Sequence, residues 1–229
     1  MNHKLLFGFL FCLFISDSFC GLYERKLLTD LLQDYQPYER PVFNDSLAVD
    51  VKHGLTFQQL VELDVDKQIL TGIYWGNIQW NDVNLRWNGS DYGGINSIRL
   101  PSDRIWIPDI IPYNAMDYNN VDPRKQITNI VISSDGGCLW VPPSVMKTTC
   151  KIDYTTYRQT CDIKIGSWTY NGWKMNLTLH DSSADISGFV RNEEWDLISA
   201  NAKRNVVKYE CCPEPYLDIT YTITLDRRG

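Results

Sequence analysis

The sequence predicts an all-β fold, a two-sheet β-sandwich preceded by one short α-helix. Near the C-terminus Ile219, Tyr221, Ile223 and Leu225 alternate with Thr220, Thr222 and Thr224. That period of two marks a strand with one buried face. Similar short runs recur around Ile73–Trp80, Ile127–Ile132, Lys174–Leu179 and Asp185–Phe189. Turn signals separate them: Asn88-Gly89, Gly93-Gly94, Asp122-Pro123, Asp135-Gly136-Gly137 and Asn171-Gly172. Many short strands with turn signals between them imply about ten strands in an immunoglobulin-like sandwich.

Taken in order, the chain opens with Lys4, an apolar run from Leu5 to Ile15 and small residues around Ser16, Ser18 and Cys20. This is the pattern of a secretory leader over residues 1–20, too short to span a bilayer. Residues 21–229 then form one domain. Residues 22–35 carry Leu27, Leu28, Leu31, Leu32 and Tyr35 at helical spacing, and Pro37 and Pro41 stop the helix. No later apolar run is long enough for a membrane span. A net charge of −6 argues against nucleic acid as partner and for attraction of cations.

Five cysteines lie beyond the leader, in an oxidising compartment. Cys150 and Cys161 close a short loop, worth ~3 kcal/mol in the chain-entropy model. Cys211 and Cys212 are neighbours. A bond between them strains the backbone, because disulfides ordinarily want Cα atoms ~4.4–6.8 Å apart. Cys138 is left over and is expected to be a small buried apolar residue. Sequons at Asn44-Asp45-Ser46, Asn88-Gly89-Ser90 and Asn176-Leu177-Thr178 fit a secreted glycoprotein.

Catalysis leaves little trace. His53 and His180 lack a metal-type partner at close spacing, and no nucleophile elbow, phosphate-cradling glycine loop or zinc spacing is present. Asp181, Asp185, Glu193, Glu194 and Asp196 form an acidic cluster that reads as a solvated loop; a carboxylate pair of a glycosidase is the alternative. No enzyme activity, cofactor or metal is expected.

Aromatic residues are the stronger signal. Of eight tryptophans, Trp80, Trp87, Trp106, Trp140, Trp173 and Trp195 are assigned to core packing, whereas Trp75 and Trp168 stand in polar or glycine-rich company. Tyr209 and Tyr216 flank Cys211-Cys212, and Pro213 and Pro215 stiffen the segment and withhold N–H groups from a ladder. The stretch reads as a rigid hairpin tip presenting two rings, a lid over a small cation.

These motifs resemble, in order, those of the extracellular ligand-binding domain of nicotinic acetylcholine receptors and of their soluble relatives, the acetylcholine-binding proteins. Trp75-Gly76-Asn77-Ile78-Gln79-Trp80-Asn81-Asp82 with Leu85-Arg86-Trp87-Asn88 resembles loop D and its following strand. Trp106-Ile107-Pro108-Asp109-Ile110 through Tyr113-Asn114 resembles loop A, and Gly166-Ser167-Trp168-Thr169-Tyr170 loop B. Ala184 to Phe189, Glu194 to Leu197 and Lys203-Arg204-Asn205 resemble loop F and its approach; Tyr209 to Tyr216 resembles loop C of an alpha-type subunit. The resemblance implies a principal face of Tyr113, Trp168, Tyr209, Tyr216 and the Cys211–Cys212 disulfide. It implies a complementary face of Trp75, Val131, Leu139 and Val141 from a neighbouring subunit. One chain carries both, so a homopentamer follows. Acetylcholine, nicotine and related cations are the implied ligands, with peptide neurotoxins as further partners and the Trp168 carbonyl as acceptor for protonated amines.

Departures bear on the setting. The loop between Cys150 and Cys161 encloses ten residues without Phe-Pro, where receptors have thirteen with an apolar tip; the turn after Asp64-Val65-Asp66 is also shorter. The sequence stops at Arg227-Arg228-Gly229, where a receptor enters its first membrane helix. A secreted binding protein is therefore expected. The alternatives are the extracellular domain of a channel subunit and, from another class, a secreted glycan-binding or glycan-cleaving β-sandwich. Pro112 and Met116 also depart from the pattern, which affects fine ligand preference.

Overall fold

A computed structural model describes residues 21–118 and 128–229. The leader with Cys12 and Cys20, the Asp122-Pro123 turn and the start of the run at Ile127 lie outside the described residues. One helix, α1 (Leu22–Leu32), precedes eleven strands: β1 (Val49–Asp64), β2 (Ile69–Asn81), β3 (Ser97–Pro101), β4 (Ile110–Pro112), β5 (Asn129–Ser133), β6 (Gly137–Trp140), β7 (Pro143–Thr149), β8 (Arg158–Ser167), β9 (Met175–Leu179), β10 (Trp195–Lys208) and β11 (Pro215–Arg227). They form a seven-stranded sheet in the order β3-β5-β6-β2-β1-β9, with β7 also on β2, and a four-stranded sheet in the order β10-β11-β8-β4. The expected sandwich with a short N-terminal helix is the observed architecture.

The two inner faces meet over Val51, Leu55 and Phe57 of β1, Trp140 of β6, Ile163 of β8, and Ile219, Tyr221, Ile223 and Leu225 of β11, all buried. The threonines between the last four residues are half exposed, as the alternation requires. Cys150 and Cys161 are bonded and buried, and Cys138 is a buried free thiol whose pKa burial pushes up. Gly93, Gly94 and Gly136 sit at φ of 65°, 87° and 85°, so those turn signals mark backbone that disfavours a Cβ.

Three expectations need correction, and one long strand was missed. The helix ends at Leu32 rather than at residue 35, because Tyr35 is drawn away: its hydroxyl donates to the buried Asp82 carboxylate at 2.6 Å and accepts the Trp106 N–H at 3.0 Å. Asp185–Phe189 is no strand. It makes a single bridge, Thr56 to Asp185, and then turns, with the Asp185 carboxylate accepting the Ser187 N–H. Trp173 is 54% exposed, outside the core. The longest strand, β1, has no counterpart among the expected runs: its buried positions alternate from Val49 to Phe57 but include polar His53, and two register shifts follow, after Phe57 and after Leu60.

β1 also carries His53 at an inward position, wholly buried, with Nδ1 3.0 Å from the Tyr221 hydroxyl across the sandwich. Burial lowers its pKa to about 4. The folded state therefore holds His53 neutral while the unfolded chain takes up a proton below about pH 6.5. Stability is fully present above that pH and is lost as the pH falls toward 4, by about 2 kcal/mol at pH 5. Urea unfolding at pH 7.5 and pH 5 is expected to show this loss, and His53→Gln to flatten the difference; an unchanged pH slope in the variant would count against it.

Candidate functional site

One end of the four-stranded sheet gathers the residues expected on the principal face. β4 pairs with β8 so that Ile111 lies opposite Gly166, and β8 pairs with β11 so that Gly166 lies opposite Asp218. Tyr113 leaves the end of β4, Trp168 leaves the end of β8, and the β10–β11 hairpin carries Tyr209 and Tyr216 over the same end. The packing at Gly166 is tight: a Cβ there would collide with the Tyr113 phenol.

Asp109 sets the position of Trp168. Its carboxylate accepts the Ser167 hydroxyl, the Thr169 N–H at 2.7 Å and the Thr169 hydroxyl at 2.6 Å, while its carbonyl accepts the Trp168 N–H at 3.1 Å. Both residues flanking Trp168 are thus tied to one aspartate, and the indole itself projects, 66% exposed. An exposed tryptophan held by its backbone is a surface prepared for something else to cover.

The rings group into two contacting pairs. Tyr113 and Trp168 have centroids 6.3 Å apart at 62°, and Tyr209 and Tyr216 are 5.4 Å apart at 66°. The Tyr113 hydroxyl donates to the Ser167 carbonyl at 2.6 Å. Burial, reinforced by Asp218, Tyr209 and Asp109, raises its pKa, so the phenol stays neutral. Two nearby carboxylates, Asp109 and Asp218, are already engaged. Buried Asp218 lies 3.2 Å from the Lys164 ammonium and accepts from the Asn205 amide at 2.7 Å. A cation arriving between these rings meets ring faces and backbone carbonyls, with the Lys164 ammonium 5.9 Å from the Tyr113 ring and exposed Glu210 at the hairpin tip.

At the hairpin tip the Cys211–Cys212 disulfide is present, with Cα atoms 3.8 Å apart, and the Cys212 N–H donates to the Tyr209 carbonyl at 3.1 Å. Pro215 begins β11 as its first residue, and its carbonyl accepts the Gly172 N–H at 2.6 Å, which ties the base of the hairpin to the segment after Trp168.

Trp75, Val131, Leu139 and Val141 lie elsewhere. They belong to the seven-stranded sheet, on β2, β5, β6 and just beyond β6. Val131 pairs with Leu139 and Leu139 with Gln79, which shares Trp75's side of β2. Trp75, Leu139 and Val141 are exposed and Val131 is half-buried. They make one outer apolar face on a different sheet from Trp168, and a single copy of the chain does not bring the two sets together.

Sequence reasoning missed Tyr118. Its ring lies 6.5 Å from Trp168, and its hydroxyl donates to the Tyr113 carbonyl at 2.9 Å. No local pattern singles it out. The acidic cluster, by contrast, is solvent-facing: Glu194 pairs with Arg227, Asp196 with Arg228, and Asp181 with His180. Among the described residues no group of His, Cys, Asp or Glu could hold a metal ion, and no helix is long and apolar enough to cross a membrane.

Residues 24–229 match the model of the neurotransmitter-gated ion-channel ligand binding domain. Among curated proteins the chain is 40% identical over 211 residues to an alpha-type acetylcholine receptor subunit of Caenorhabditis elegans, covering 91% of the chain and 42% of the relative. It is 38% identical over 212 residues to the human neuronal acetylcholine receptor subunit alpha-9, covering 91% and 44%. With the rat alpha-10 subunit it shares 35% over 234 residues, 100% of the chain and 52% of the relative. The chain thus spans about half or less of the length of these relatives. Its fold, its disulfides and a match over nearly the whole described chain lead to one conclusion: it belongs to the neurotransmitter-gated ion-channel ligand binding domain family.

Proposed function

We propose that this chain is the subunit of a ring, a homopentamer, that captures acetylcholine, nicotine and related cations in aromatic boxes between neighbouring copies. The observation that carries the reading is the division of exposed aromatic and apolar residues between two sheets. Tyr113, Trp168, Tyr209 and Tyr216 supply one half-site and Trp75, Val131, Leu139 and Val141 the other, so a complete box needs a head-to-tail contact, and such contacts close into rings. A quaternary ammonium has no N–H to donate, and ring faces attract it by ~0.5–2 kcal/mol each. Acetylcholine is favoured because the relatives are named as acetylcholine receptor subunits. Light scattering after size-exclusion is expected to give about five copies, and calorimetry one ligand per chain. A monomer that binds as tightly would overturn the shared site.

Two settings have support. The curated relatives favour the extracellular domain of a channel subunit. The Cys150–Cys161 loop favours a secreted protein, because it is short and mostly polar and two of its side chains tie it back to the domain. The Gln159 side chain bonds the Asp153 N–H and the Asp153 and Thr156 carbonyls, and the Tyr154 hydroxyl reaches the Val65 carbonyl in the shortened β1–β2 turn. Expression in secretory cells should place the secreted form in the medium. Glycopeptide mapping is expected to find Asn44 and Asn88 modified, since both are exposed in loops. Asn176 is expected to be bare: it lies within β9, with its amide nitrogen 2.8 Å from the Asp50 carboxylate and its oxygen 3.1 Å from Arg204. Recovery only in membranes, or a glycan at Asn176, would count against these two expectations.

A further inference from the structure

The side of Trp168 turned away from Tyr209 and Tyr216 opens on a cleft of about 690 Å³. Its walls include Trp106, Ile107, Ile111 and Tyr118, with Tyr38 at the mouth, 91% exposed. The size suits a small organic molecule, and so does a mostly apolar lining with few polar groups. None of the four rings assigned to the box's principal face lines it except Trp168, which is a wall of both spaces.

The lining chemistry narrows the occupant. The Trp168 ring contacts Tyr113 at 6.3 Å and Tyr118 at 6.5 Å, and with Trp106 it gives the cleft an aromatic wall on which another ring can pack. Asp109 borders the cleft, but its carboxylate is engaged by three donors from Ser167 and Thr169, which leaves it a poor partner for a second cation. Exposed Asp103 at the border disfavours anions and, being solvated, attracts a cation only weakly. What remains is a flat, uncharged aromatic group.

We propose that this cleft is a second small-molecule compartment, taking a flat, uncharged aromatic group against Trp168 and Tyr118. The occupant is either a free aromatic compound or the aromatic arm of a cation whose ammonium sits in the neighbouring box. The inference rests on the cation-site reading only for the second source. In either case Trp168 is shared, so filling the cleft alters binding on the other side of the indole.

The test uses the assembled protein and three probes: tetramethylammonium for the box, indole for the cleft, and (naphthalen-2-ylmethyl)trimethylammonium for both. Indole binding is followed by saturation-transfer NMR and the two cations by calorimetry. Wild-type protein is expected to bind indole saturably, and Ile107→Gln and Tyr118→Ala to weaken it at least fivefold. Ile107→Gln is expected to leave tetramethylammonium affinity within threefold. If Ile107→Gln lowers tetramethylammonium binding as well, Tyr38→Ala at the exposed mouth replaces it, with the same expectation for indole. A joined probe at least tenfold tighter than tetramethylammonium in wild type, with the gain lost in Ile107→Gln, identifies the arm of a cation as the occupant. Indole binding without that gain identifies a free aromatic compound. Absence of saturable indole binding together with no gain for the joined probe, as when a neighbouring copy fills the cleft, overturns the proposal. Loss of tetramethylammonium binding in wild type would instead overturn the box and leave the indole result standing.

Discussion

Trp168→Ala is expected to weaken binding of a quaternary ammonium ligand about a hundredfold, close to 2.7 kcal/mol. The magnitude follows from what else the site offers. Asp218 is paired with Lys164 and Asp109 is saturated by loop donors, so neither carboxylate is free to replace the lost ring. A cation–π contact contributes ~0.5–2 kcal/mol, and the rest comes from the apolar area that the indole would cover. The indole is 66% exposed in the single chain, so truncating it leaves no core cavity and folding should be retained. Trp168→Phe, which keeps a ring face, should recover much of the affinity. Calorimetry that finds Trp168→Ala within threefold of wild type would remove the box as the source of binding.

Tyr216→Ala, or reduction of Cys211–Cys212, is expected to raise the ligand dissociation rate more than tenfold with little change in association. Affinity changes among variants of one site fall mostly on the off-rate. Tyr216 pairs with Val207 at the base of the hairpin, and its ring packs on Tyr209 at 5.4 Å, so removing it frees Tyr209 as well as deleting a wall. The disulfide acts on the backbone, so its reduction is expected to loosen the hairpin tip. Stopped-flow displacement separates the two rates. Unchanged release in both cases would show that the hairpin is not a lid.

Much of this molecule was legible in its sequence, and the misses share a cause. The alternation at Ile219–Leu225 was readable because β11 lies between β8 and β10, with one face buried from Leu217 to Leu225. β10 sits at the edge of its sheet with most positions exposed or half-exposed, so its residues carry no alternation to read. β1 alternates over Val49–Phe57 but sets polar His53 inward, and beyond Phe57 two register shifts break its period. Trp173 and Trp168 look alike as residues in a glycine-rich segment. Only their surroundings show that both are exposed and that one of them is clamped by Asp109 beside Tyr113.

The sequence by itself determined the class of fold, the buried Cys150–Cys161 bridge, the adjacent cysteine pair and the aromatic segments from which a site could be made. Each of these depends on residues close together in the chain, through local periodicity, turn chemistry or direct adjacency. Only the tertiary structure decided which strand pairings carry each aromatic residue, with Trp75 on the seven-stranded sheet and Trp168 at the end of the four-stranded one. It also decided that Tyr35 leaves its helix to satisfy Asp82 and that Tyr118 flanks Trp168. Those outcomes depend on pairing between distant strands, where a bulge of one residue moves every later side chain to the other face.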